Sequence, residues 1–178
     1  GAGRPPTLTE VADRAGVVLG TAGGGLATLE DGYRAVFQDG KDRVHPFTVP
    51  RLMQNAGASH ISIDLGLRGP GFTVSSACAS SNHAMGLAFQ IIRAGGAVAM
   101  LAGGAEAMLT FGGLKAWEGL RVMSPDACRP FSLTRNGMVQ GEGAAVFVFE
   151  DRDHACASSA AGPRRRCIGD FGRIVLCG

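Results

Sequence analysis

Short apolar runs bounded by glycine alternate along this chain with stretches whose apolar residues recur every three or four positions. Ala15–Gly20 (AGVVLG) is apolar throughout and flanked by glycine, the pattern of a strand buried on both faces. Ala97–Ala102 repeats that pattern, Phe72–Ser76 reads as a third strand, and Gly143–Glu150 (GAAVFVFE) adds a fourth with β-branched and aromatic residues. Between them, Leu26, Leu29, Tyr33, Val36 and Phe37 fall at helical spacing over Leu26–Gln38, and Gly40 follows to stop the helix. Pro46 and Pro50 predict an extended entry to a helix at Leu52–His60, and Gly66–Gly71 (GLRGPG) predicts a turn. Ser80–Arg93 reads as a helix apolar on most sides, which places it in an interior. Strand and helix in this order predict an α/β layered fold with buried sheets.

Composition narrows the class. A chain of 178 residues with 46% hydrophobic and 18% charged positions can bury a core, so intrinsic disorder is excluded for most of it. A net charge of +2 gives no basis for nucleic-acid binding. The longest apolar stretch, Ala97–Leu109, is broken by Gly103, Gly104 and Glu106 and falls short of the ~20 residues a membrane span needs. No basic, apolar and small-residue leader is visible. Five cysteines, with no CxxC pair and no Cys/His spacing of a metal site, predict neither a disulfide scaffold nor bound metal. The first methionine is Met53, so the chain reads as a piece of a longer protein. From Ala155 onward the composition changes: three of the five cysteines and the run Arg164–Arg166 appear without sustained periodicity. That tail reads either as a surface extension or as a segment foreign to the domain, through truncation or a shifted frame. The domain is accordingly expected to occupy residues 1–154, with 155–178 divergent.

Chemistry concentrates in Val74–Gly86, VSSACASSNHAMG. Cys78 falls between a predicted strand and the start of a predicted buried helix. Exposed N–H groups at a helix start favour an anion, and the thiolate is the nucleophilic form of cysteine. Ala77, Ala79, Ser80 and Ser81 are small and leave room for a substrate. A lone cysteine is also a common small core residue, so its placement alone leaves both readings open. The glycine cluster Gly20–Gly25 (GTAGGG) lacks the Lys-Ser/Thr of a phosphate-binding loop and is not a GxGxxG opening a helix. It reads as a turn.

Together VSSACASSNHAMG, AVAMLAGGAEAM and RPFSLTRNGMVQGEGAAVFVFE resemble the β-ketoacyl-acyl carrier protein synthases of the thiolase superfamily, colinearly from about Ala15 to His154. VSSACASSNHAM and LTFGGLKAWEGLRVMS are most similar to the branch that makes the unusual fatty acyl chains of lipo-chitooligosaccharide signals. The resemblance implies a layered αβαβα sandwich, here incomplete and mostly its N-terminal half. It implies an enzyme without cofactor that performs a decarboxylative Claisen condensation. Cys78 would accept the acyl group from a carrier-protein thioester, and its backbone N–H would help hold the oxyanion. Decarboxylated malonyl carrier protein would then attack that thioester to give a 3-oxoacyl product. The implied partners are acyl carrier protein, malonyl and acyl thioesters and a second copy in a homodimer; the implied location is the cytoplasm, with inner-membrane association as an alternative. The family's two catalytic histidines and a lysine come from its C-terminal half, and His45, His60, His83 and His154 lack their motifs. The chain alone is therefore expected to be acylated but not to condense, and as a partial sandwich to expose apolar faces.

By the same resemblance Gly23, Thr48, Gly113 and Trp117 line an acyl tunnel, with Met138 near its mouth. Gly23 stands where primary fatty acid synthases often carry a bulky aliphatic residue, which predicts an opened wall and a tunnel for long or polyunsaturated chains. Lys41, Arg43 and Arg121 match positions that meet the acidic carrier protein. Ser132 and Asn136 replace acidic residues common in the family. The competing readings are a synthase of general fatty acid or polyketide assembly, a non-catalytic partner subunit, and an inactive remnant. Retention of Cys78 argues against the non-catalytic partner.

Overall fold

A computed structural model describes residues 8, 10–158, 167–168 and 171–176. After a 3-10 turn at Ala12–Arg14 come β1 (Ala15–Gly20), α1 (Leu26–Phe37), α2 (Thr48–Leu52), α3 (Ala56–Leu65), β2 (Gly71–Val74) and α4 (Ser80–Arg93). They are followed by β3 (Ala99–Glu106), α5 (Phe111–Gly119), β4 (Gly143–Glu150), α6 (Arg152–Ser158), β5 (Cys167–Ile168) and β6 (Phe171–Leu176). The strands form one sheet in the order β2-β1-β3-β4-β6-β5. β1 pairs in parallel with β2, Val17 opposite Gly71, and with β3, Val17 opposite Leu101. β6 runs antiparallel to β4 and to β5.

The chain divides into two compact units. The first comprises Gly1–Ala22, Gln54–Ala105 and Ala144–Gly178, and so holds the sheet, α3 and α4. Its core follows from the period of two in the strands. Ala15, Val17 and Leu19 of β1, with Ala99 and Leu101 of β3, pack on Ala58 and Leu67 on one side. Val18, Met100 and Ala102 point the other way, onto Ala84 and Ala88 of α4. Both faces of the central strands are covered, which is why they read as unbroken apolar runs. The second unit, Gly23–Met53 with Glu106–Gly143, holds α1, α2 and α5.

Three expectations change. The helix predicted at Leu52–His60 is two helices: Met53 adopts extended backbone (φ −66°, ψ 138°) after α2. Pro50 lies within α2 rather than in an extended entry, in the first turn, where its missing N–H removes no helical bond. Helix α4 keeps its predicted bounds but buries mainly the stripe Ser80, Ala84 and Ala88, leaving Leu87 37% exposed. These small residues at four-residue spacing let the helix lie close to the sheet, while its larger side chains turn partly outward. The tail supplies β5 and β6, and β6 covers the edge that β4 would otherwise present. The basic run Arg164–Arg166 lies outside the described residues. Apolar surface is exposed in the loop after α5, where Phe131 and Leu133 are each 99% accessible.

Candidate active site

Cys78 sits in the five-residue link between β2 and α4, and its side chain is exposed. The link turns sharply because Ala77 adopts a left-handed conformation, φ 51°. For a residue with a Cβ this costs about 1–2 kcal/mol, so neighbouring contacts have to hold it. The buried Ser80 is one such contact. Its hydroxyl donates to the Ala77 carbonyl at 2.6 Å and accepts the Ser76 N–H at 2.8 Å. Backbone bonds from Ala79 N–H to Ser76 O and from Ser80 N–H to Ala77 O close the same turn. Ser76 Oγ and His83 Nδ1 are hydrogen-bonded at 2.7 Å. The N-cap of α4 is Ala79, which has no side-chain oxygen to offer the first-turn N–H groups. The turn thus presents an exposed thiol two residues before the first residue of α4, whose N-cap offers its first-turn N–H groups no side-chain acceptor.

Glycines fix where this turn sits. A Cβ on Gly20, the last residue of β1, would overlap the Ser80 carbonyl carbon and the Ser81 nitrogen. A Cβ on Gly104 of β3 would overlap the Ser81 hydroxyl. The first turn of α4 therefore rests directly on sheet backbone, at the last residue of β1 and at Gly104 within β3.

In the second unit the expected tunnel residues are spread over several elements. Gly23 and Gly113 both abut Met108: a Cβ on Gly23 would come within 2.8 Å of the Met108 Cγ, and one on Gly113 within 3.0 Å of its carbonyl. The Met108 side chain thus stands in the space that a side chain on Gly23 would enter. Thr48 opens α2 and packs toward Gly32, Trp117 is half-buried on α5, and Met138 bonds through its backbone to Val122 and Ser124. Gly23→Ile is expected to destabilise the fold by about 1–3 kcal/mol, since methionine must leave its place. Adding Met108→Ala should recover more than half of that loss in thermal melts. Equal losses with and without the second change would show that methionine is not the obstacle.

Lys41 and Arg43 lie exposed on the link from α1 to α2, and Lys41 pairs with Asp39 at 3.1 Å. Arg121 is exposed just after α5 with φ 56°. Two features of this unit were not anticipated. Glu30 of α1 accepts the Phe111 N–H at 3.2 Å and the Gly112 N–H at 2.8 Å, capping α5 from another helix. The Gly112 N–H is the main cause, followed by the Thr110 hydroxyl, holding its carboxyl below the ordinary value. Asp126 binds the Arg129 guanidinium, Ser124 and Asn136. Arg129 first, then Ser124, lowers its pKa from 3.8 to about 2. A depressed value means these contacts are intact above pH 4 and are lost as pH falls through about 2. A carboxyl titration by NMR should place Asp126 near pH 2, and Asn136→Asp should raise it by setting a second carboxylate alongside.

His45 accepts the Phe47 N–H, His60 is exposed on α3, and His154 lies on α6 rather than in a strand-end loop, 3.2 Å from Glu150. Among the described residues, no cluster of three or more His, Cys, Asp or Glu side chains could hold a metal ion, and no helix is long and apolar enough to cross a membrane.

Comparison with known proteins identifies the family. The profile of the family described as "Beta-ketoacyl synthase, N-terminal domain" matches residues 1–155. Nodulation protein E of Rhizobium leguminosarum bv. trifolii is 52% identical over 149 residues, 84% of this chain and 37% of that protein. The 3-oxoacyl-[acyl-carrier-protein] synthase 2 of Staphylococcus aureus is 39% identical over 154 residues, covering 84% of this chain and 38% of its own length. Among solved structures, a type II polyketide ketosynthase in complex with its acyl carrier protein superimposes with a TM-score of 0.73 at 29% identity, over 82% of this chain and 38% of that one. The chain spans little more than a third of the length of these relatives.

Proposed function

Because the chain belongs to the β-ketoacyl synthase family, whose members are condensing enzymes with a thiolase-like layered fold, we propose that Cys78 is its acyl-accepting nucleophile. The observation that carries this reading is the exposed Cys78 on a strained, hydrogen-bonded turn at the start of α4. The Cys78 thiolate attacks the thioester carbonyl of an acyl carrier protein. The bond to the carrier's sulfur breaks, the carrier leaves as a thiolate that takes up from solvent the proton Cys78 released on ionising, and a new thioester joins the acyl group to Sγ. The helix start stabilises the oxyanion formed on the way.

In the complete protein the next step is decarboxylative Claisen condensation with malonyl carrier protein, in a homodimer. Residues 1–154 form part of the N-terminal core and 155–178 diverge from it. The carrier docks on Lys41, Arg43 and Arg121, supported by the carrier-bound ketosynthase that this chain resembles. Gly23, Thr48, Gly113, Trp117 and Met138 line the acyl tunnel, in which Met108 shares the place of Gly23's missing side chain. The likeness to nodulation protein E favours the fatty acyl part of a nodulation signal as product. The likeness to 3-oxoacyl-[acyl-carrier-protein] synthase 2 keeps general fatty acid synthesis as the second reading.

The test is incubation of the chain with an acyl carrier protein bearing a fatty acyl thioester, followed by peptide mass mapping. An acyl adduct on the Cys78 peptide, prevented by prior iodoacetamide, is the expected result. Absence of any adduct, or an adduct only on Cys128, would overturn the assignment. No condensation product is expected when malonyl carrier protein is added to this chain alone.

A further inference from the structure

Two side chains tie the end of β2 to the first turn of α4 across Cys78. Ser80 reaches back to Ser76 and Ala77, as described. The second tie comes from one turn further along the helix, where His83 Nδ1 meets Ser76 Oγ at 2.7 Å. Ser76 is thereby held at all three of its polar groups. Its N–H donates to Ser80 Oγ, its carbonyl accepts the Ala79 N–H at 3.2 Å, and its hydroxyl is bonded to the imidazole. His83 is anchored as well, since its own N–H donates to the Ala79 carbonyl at 3.0 Å. Ala77 and Cys78 lie inside this closed circuit, and Ala77 would relax out of its left-handed conformation if the circuit opened.

We propose that His83, through its hydrogen bond to Ser76, is a positioning residue that holds Cys78 in the geometry used for acyl transfer. This rests on the reading of Cys78 as the acyl acceptor. The imidazole does not act on the substrate; it fixes Ser76, two residues beyond β2, relative to the first turn of α4, and so fixes the segment that carries Cys78 between them. Loosening the turn lets the sulfur leave the exposed position that this geometry gives it, so fewer encounters with an electrophile find it aligned.

Cys128, also a free and exposed thiol, supplies an internal reference within the same molecule. The chain is labelled with limiting iodoacetamide, and the ratio of Cys78 to Cys128 modification rates is read by peptide mass spectrometry. Acyl transfer from acyl carrier protein to Cys78 is measured alongside. His83→Ala and Ser76→Ala should each lower the ratio about three- to tenfold, the factor expected for one net hydrogen bond. His83→Asn, which keeps a polar atom near the Nδ1 position, and Ser76→Thr, which keeps the hydroxyl, should retain most of it. The double alanine variant should fall no further than either single one, because both remove the same bond. An unchanged ratio in the alanine variants overturns the positioning role, even if their melting temperatures drop. Additive losses in the double variant, or failure of His83→Asn to rescue, overturn it too. If wild-type Cys78 takes no acyl group while the ratio still falls in the variants, the function reading fails and the positioning role stands.

Discussion

Cys78→Ser is expected to abolish measurable acyl transfer from a carrier-protein thioester. Serine fits the same turn, so the exchange of sulfur for oxygen isolates the chemistry from the fold. A thiol has an accessible nucleophilic anion near neutral pH, whereas a hydroxyl needs a positioned base to remove its proton. The nearest hydroxyls held in place by the turn, Ser76 in the link and Ser80 at the start of α4, are already engaged in hydrogen bonds, and a hydroxyl is in any case too weak a base to take that proton. The loss should therefore be about 10²–10⁴-fold, the factor a positioned general base would have to supply. Intact-mass kinetics with excess acyl carrier protein measure it. A Cys78→Ser chain acylated at the wild-type rate would place the acceptor elsewhere.

Gly20→Ala is expected to be the most damaging single methyl group that can be added near the site. The new Cβ has nowhere to go, because the atoms it meets are the backbone of Ser80 and Ser81, not the end of a flexible side chain. Either β1 moves, breaking its parallel pairing with β2 and β3, or the first turn of α4 lifts from the sheet and carries the Cys78 turn with it. Overpacking of this kind costs about 3 kcal/mol or more. Gly86→Ala is the matched control. Gly86 lies in the same helix, no atom stands within 4 Å of its would-be Cβ, and alanine should add about 0.5–1 kcal/mol of stability through helix propensity. Circular-dichroism melts of the two variants should move in opposite directions. Parallel shifts would show that α4 does not rest on β1 as described.

Several elements were legible where a local pattern is continuous, most of them in the first unit. β1, α4 and β4 were read with the bounds they have, within one residue for α1, since each is a continuous apolar run or a helix ended by glycine. The helix at Leu52–His60 was misplaced because Pro50 suggested an extended entry, whereas proline is tolerated in a helix's first turn. α5 carries Gly112 and Gly113 in its first turn, a composition that hides a helix, and its start is supported from outside by Glu30, 81 and 82 residues away from its partners. No local window contains that information.

The amino-acid order by itself placed Cys78 between a strand and a helix, because strand and helix periodicities and a small-residue neighbourhood are properties of adjacent positions. Tertiary structure alone decided that Ala77 is held left-handed, that the helix start rests on Gly20 of β1 and Gly104 of β3, and that Met108 occupies the space beside Gly23. These depend on atoms brought together from distant parts of the chain, where packing and hydrogen bonding, not propensity, set the outcome.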